Sequence, residues 1–179
     1  MSRKINIAPL VTAHFKTLRN NRTGKLSKWD VSIHLLVPVF TLITCAWPLR
    51  VDLEGKYSNI LAALAIIFGF AFAAVIFIFQ LRMQMAELQI SSKKSPVAEI
   101  APQIDTSAPI LVNELFSNCL YAVLISGIAV LWTGVVDGIN LPVWCDYLIV
   151  ALISHLVVVL MMCFKRINAA FSRIASLKR

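Results

Sequence analysis

The stretch Ser58–Leu81, SNILAALAIIFGFAFAAVIFIFQL, decides the fold. It runs for 24 residues without a charged side chain. A helix rises 1.5 Å per residue, so about 20 residues cross a ~30 Å hydrocarbon core, and this segment spans a bilayer with length to spare. Backbone N–H and C=O groups in hydrocarbon must find partners within the segment, which selects a helix. A barrel strand would alternate in ten-residue pieces, and this run is continuous.

Three further apolar runs flank it: Val31–Trp47, Leu115–Val136 and Leu141–Phe164, of 17, 22 and 24 residues. The first is the shortest and contains Pro38. Composition agrees with a membrane protein: 59% of the 179 residues are apolar, 15% are charged, and mean hydropathy is +0.78. Soluble domains have about 45–50% apolar and about 25% charged residues. A soluble globular enzyme, a disordered chain and a disulfide-rich secreted module are thereby excluded. The expected fold is all-α, an integral membrane four-helix bundle of two transmembrane hairpins with a short N-terminal interfacial helix.

The charges orient it. Fifteen Lys and Arg lie before the first span, between spans two and three, or after span four, against Arg50 and Lys56 in the first short loop. Under the positive-inside rule both termini face the cytoplasm. Trp47, Tyr57, Trp132, Trp144 and Tyr147 fall at the outer ends and Trp29 at the inner end of span one, where amphipathic rings suit the interface. The first 30 residues have no apolar h-region, so no cleaved secretory signal is expected. The net charge of +8 follows from topology and does not require nucleic acid. The anionic leaflet attracts juxtamembrane Lys and Arg.

The chain therefore divides into a basic segment 1–30, a first hairpin 31–81, a cytoplasmic extension and linker 82–114, a second hairpin 115–164 and a basic tail 165–179. Residues 8–22 read as the interfacial helix, with Leu10, Val11, Phe15 and Leu18 on one side and Lys16, Arg19 and Arg22 on the other. Pro9 suits its first turn and Gly24 the turn after it. Residues 82–89 continue span two as a helix. Residues 90–108 read as a flexible linker or loosely ordered loop, with Pro96, Pro102 and Pro109 expected to forbid a long helix. Only the loop 48–56 and the turn 137–140 lie outside, so a soluble partner is expected on the cytoplasmic side.

Polar residues within the spans are the candidate functional positions, because they are costly there. Asp146, Ser154 and His155 form a candidate pore or polar face on span four. Each has a structural alternative: His155 bonded to a neighbouring helix, and Asp146 facing interfacial water. Glu114 is expected to cap span three or to pair with Arg82 or Lys165, and His34 to lie at headgroup depth. Two small-residue stripes are candidate packing surfaces: Ala65, Gly69 and Ala73 on span two, and Asn118, Ala122, Ser126, Ala129 and Thr133 on span three. One should close the bundle, and the second tilts the expectation toward a homo-oligomer.

Cys45, Cys119, Cys145 and Cys163 lack metal-site spacing and are expected as packing residues, with Cys45 and Cys145 the only pair near an oxidising face. No phosphate loop, dinucleotide fingerprint, zinc-protease helix or nucleophile elbow occurs. No enzyme, metal or cofactor is expected, and no carboxylate pair suits a coupled transporter.

Three stretches carry a resemblance: LRNNRTGKLSKWD before span one, NELFSNCLYAVLISGI opening span three and HLVVVLMMCFKRI closing span four. Together they resemble small four-pass bacterial inner-membrane proteins of the kind found in anti-phage defence modules, similar in size and architecture to the membrane component of the Kiwa system. The resemblance implies either a membrane-perturbing effector or an anchor or sensor subunit that recruits a cytoplasmic protein. It assigns no residue a role.

Overall fold

The computed structural model describes residues 6–18, 27–94, 107–139 and 141–176. Arg3, Lys4, Arg19, Arg22, Lys25, the turn at Gly24, the linker prolines Pro96 and Pro102, Asn140, Lys178 and Arg179 lie outside them. Five helices follow in order: α1 (Ala8–Lys16), α2 (Lys28–Thr44), α3 (Tyr57–Lys94), α4 (Ser107–Gly138) and α5 (Trp144–Ser176). Four of the chain's helical stretches are long and apolar enough to cross a membrane: Lys28–Leu49, Tyr57–Glu87, Pro109–Gly138 and Trp144–Ala169. The short first span gains its length from a π-helical turn, Cys45–Leu49, that extends α2.

Local chemistry explains the ends. Ser27 caps α2 by accepting from the Asp30 amide at 3.3 Å, with the Asp30 carboxylate in the favourable first turn. Pro38 inside α2 removes one helical N–H, and the helix continues through it to Thr44. The π turn stops at Arg50, whose φ of 42° is left-handed, and Val51 N–H closes back on the Cys45 carbonyl at 3.2 Å.

Packing is unequal. α4 is the hub, touching α1, α3 and α5. Its stripe Asn118, Ala122, Ser126, Ala129 and Thr133 is almost wholly buried, so this is the one that closes the bundle. Phe68 of α3 lies over Gly127 of α4, where an added Cβ would come 3.3 Å from the ring. The stripe Ala65, Gly69 and Ala73 is exposed, facing away from the other helices. α2 packs against α5, while α3 packs against α4. The consecutive spans α2 and α3 are thus joined in sequence, yet each finds its neighbour in the second hairpin. The order across the molecule is α3, α4, α5, α2.

That order leaves a groove between α4 and α2, over α5, and α1 lies in it. Thr17 meets Asn118 and Arg166, His14 meets Asn118, Tyr121 and His34, and Leu10 and Val11 reach the core around Tyr121, Ala122 and Ile125. α1 therefore runs antiparallel to α4, entering the bundle from the end where α2 and α4 begin. The sequence expects this helix at the lipid interface; the packing displayed is against protein. Its buried face is His14, Thr17 and Leu18, whereas Phe15 is exposed.

Candidate functional site

The end of the molecule carrying Lys28, Arg82 and Arg166 is the basic end, and the end carrying residues 50–56 and 139–143 is the loop end. Each holds buried polar residues.

At the loop end Asp146, in the first turn of α5, is buried. One carboxylate oxygen accepts the Leu53 amide at 3.1 Å and the other accepts the Tyr57 hydroxyl at 2.8 Å. The residue clasps the α2–α3 loop to the start of α5. Beside it lies an open cleft of about 650 Å³ lined by Asp52, Glu54, Tyr57, Asp137 and Asp146 with apolar neighbours.

At the basic end the chain's three histidines converge, although they lie on three different elements: His14 on α1, His34 on α2 and His155 on α5. His14 has no exposed surface. Its Nδ1 is 2.9 Å from Asn118 Oδ1 and its Nε2 3.1 Å from His34 Nε2. Its ring stacks on Tyr121, centroids 3.9 Å apart and planes 7° from parallel. The Tyr121 hydroxyl meets His155 Nε2 at 3.0 Å. Asn118 lies roughly two and a half turns inside the apolar stretch that begins at Pro109. His155 sits near the middle of its own span. All of this is at a depth where each polar group is costly unless bonded.

The protons in this cluster have two self-consistent arrangements. Thr17 has one hydroxyl hydrogen and two oxygens in reach, the His14 carbonyl at 2.7 Å and Asn118 Oδ1 at 2.8 Å. With the amide oxygen facing α1, His14 donates from Nδ1 to Asn118 and its Nε2 accepts from His34. With the amide turned over, its NH₂ donates to both Thr17 and His14 Nδ1, and His14 donates from Nε2 to His34. Both arrangements are neutral. A single added proton would be shared between the two facing nitrogens; a second would set two positive charges about 3 Å apart in a dry interior. Burial, reinforced by the neighbouring His34 ring, accordingly pushes the His14 pKa from 6.5 down to about 4.

Among the described residues three buried side-chain atoms have no hydrogen-bond partner: His34 Nδ1, Asn118 Nδ2 and His155 Nδ1. Pro38 lacks the N–H that the His34 carbonyl, four residues back, would otherwise accept, and the His155 ring approaches that carbonyl in its place. Beneath the cluster Arg166 donates to Glu114 and to the Thr17 carbonyl, meeting an unpaired carbonyl at the C-terminal end of α1. Glu114 was expected to pair with Arg82 or Lys165; its partner is Arg166, one position further along α5. Arg82 lies instead over the Phe116 ring, 4.8 Å from its centroid.

The polar face expected on span four is therefore divided. Asp146 belongs to the loop-end clasp, and Ser154 donates to the Ala151 carbonyl of its own helix at 2.8 Å. His155 belongs to the basic-end cluster, roughly 13 Å along the helix from Asp146. His34, expected at headgroup depth, is buried against His14. His14, Thr17 and Tyr121 were not singled out in the sequence. The available signal was His14 one turn from both Leu10 and Leu18, a titratable group on the apolar face of an amphipathic helix. All four cysteines are buried free thiols, with Cys119 and Cys163 sulfurs 3.8 Å apart. Among the described residues no group of three His, Cys, Asp or Glu is set to hold a metal ion.

Comparison with known protein families, with curated proteins and with solved structures finds no match to this chain.

Proposed function

We propose that the chain is a non-enzymatic sensor subunit of a bacterial inner membrane that signals to a soluble protein through its N-terminal helix. The observation that carries this is the seating of α1: a nine-residue helix outside the four spans is held in the bundle by hydrogen bonds through His14 and Thr17. Apolar packing alone would hold such a helix without the desolvation cost of three imidazoles and an amide. Polar contacts of this kind give a docked state that a change in charge can undo. In this reading the basic end faces the cytoplasm. α3 and α5 run beyond their apolar stretches, from Glu87 to Lys94 and from Ala169 to Ser176, and offer a partner helical surface outside lipid. The resemblance to four-pass proteins supports reading such a subunit as part of an anti-phage defence module.

The test is purification in mild detergent from the native host, comparing the full chain with one lacking residues 1–18. The expected result is a stoichiometric soluble partner whose capture changes when α1 is removed. No stoichiometric partner with either chain overturns the reading.

A second reading, a membrane-depolarising effector, is favoured by one observation. Asn118, Ser126 and Thr133 are buried along the inner face of α4, a line of polar side chains leading from the cluster toward the loop end. Water could follow that line once α1 leaves. Depolarisation of cells expressing the chain without residues 1–18 supports it; fully polarised cells oppose it.

A further inference from the structure

We infer that the docking of α1 is gated by protons: the helix stays seated while the His14–His34 pair is neutral and is released when the pair takes up charge. The inference rests on reading α1 as the element that moves. Its ground is the geometry of the pair. The two imidazole nitrogens face each other at 3.1 Å, His14 is fully enclosed, and the groups around it offer hydrogen bonds with little counter-charge.

The surroundings are few enough to name. From α2 come His34 and, one turn below it, Asp30. From α4 come Asn118 and Tyr121, both neutral, and Glu114, which is engaged by Arg166. From α5 come His155 and Arg166, and Arg166 is a fixed positive charge that already acts against a charged His14. Among the described residues the carboxylates near it are Asp30, at the mouth, and Glu114, already paired. A proton on His14 thus meets desolvation, two further imidazoles and a guanidinium. Outside the groove the same ring is solvated, and the charge costs nothing unusual.

The direction follows from linkage. A group whose pKa is lower when docked binds protons more readily when released, so docking is complete above the released value and is lost as pH falls. For His14 the window runs from about 6.5 down to about 4. Within it the docking equilibrium falls by less than tenfold per pH unit, about fortyfold in all between pH 6.5 and 4.5. Released, the helix carries Leu10, Val11 and Phe15 beside Lys16, the composition of a segment that lies on a membrane surface.

The experiment uses the full chain in vesicles of phosphatidylethanolamine and phosphatidylglycerol. Nitroxides are attached at Lys16→Cys and Lys165→Cys, both exposed positions, with the native cysteines replaced by Ala. Dipolar broadening is expected at pH 7.5 and its loss at pH 4.5, while His14→Gln, which keeps an amide for Asn118 but takes no proton, keeps the broadening at both. Broadening that persists at pH 4.5 without the substitution overturns the proposal, as does acid release of the Gln variant. If the Gln variant is already undocked at pH 7.5, the ¹⁵N shift of His14 in the otherwise unsubstituted chain decides. A ring that stays neutral until the broadening is lost supports the gate, and one that charges while α1 remains docked overturns it. Acid release in a chain that captures no partner upholds the gate and removes the sensor function. A helix that never leaves, in a chain whose capture needs residues 1–18, does the reverse.

Discussion

The two ends of the bundle solve the same problem differently. At the loop end Asp146 divides its two oxygens between an amide and a phenol, and the clasp is complete. At the basic end six side chains share their hydrogen bonds, yet His34 Nδ1, Asn118 Nδ2 and His155 Nδ1 are left over. A saturated buried site has no second arrangement of comparable energy, so it acts as a fastener. An undersaturated one holds its parts together with bonds to spare, and its amide and tautomers can be reversed without breaking the count. The contrast separates a structural polar site from one built to change.

The comparison breaks first at Asp146. Replacement by Ala removes two bonds to a carboxylate and strands a buried Leu53 amide, at a cost of about 3 kcal/mol, visible as a lower thermal midpoint in detergent. α1 should remain docked, because its contacts are at the other end. Release of α1 in this variant would show that the two ends are coupled and that the division is false. Asn118→Ala is the counterpart. It strands His14 Nδ1, leaves the Thr17 hydroxyl only the His14 carbonyl, and costs about 2 kcal/mol. The loss should fall on α1, read as protease cleavage at Lys16 while the four spans stay protected. A uniform loss of midpoint with Lys16 still protected would make Asn118 an ordinary core residue.

The spans were legible in the sequence because a bilayer imposes one length and one backbone solution on every segment that crosses it. The buried stripe of α4 was legible for a related reason, since small and weakly polar residues at steps of four are what lets helices join in lipid. The polar sites were not. His14 reaches Asn118 across 104 residues and His34 across 20, and Asp146 reaches Leu53 across 93. Periodicity along one helix says nothing about such pairs. It suggested instead that Asp146, Ser154 and His155 act together, because they lie near one another on α5. Their partners on α2, α3, α4 and the loop divide them. Glu114 shows the finer limit: a charge partner at the right end of the right helix was foreseen, one residue away from Arg166.

The smallest expected effect concerns the stripe that the protomer leaves open. Ala65, Gly69 and Ala73 face outward, and a Cβ added at Gly69 meets nothing within 4 Å. If lipid alone covers this face, Gly69→Ala gains helix propensity of about 0.5–1 kcal/mol and leaves stability equal or slightly higher. If a second copy packs here, the same methyl group intrudes between close backbones. The variant then loses stability and shifts the oligomer distribution in detergent toward smaller species. The sign of one small change thus tells whether this surface belongs with the closed stripe of α4 or with the exposed phenylalanines beside it, Phe70 and Phe72. Because an added Cβ at Gly69 meets nothing within 4 Å among the described residues, a loss of stability reports on what covers this face rather than on the bundle's own packing.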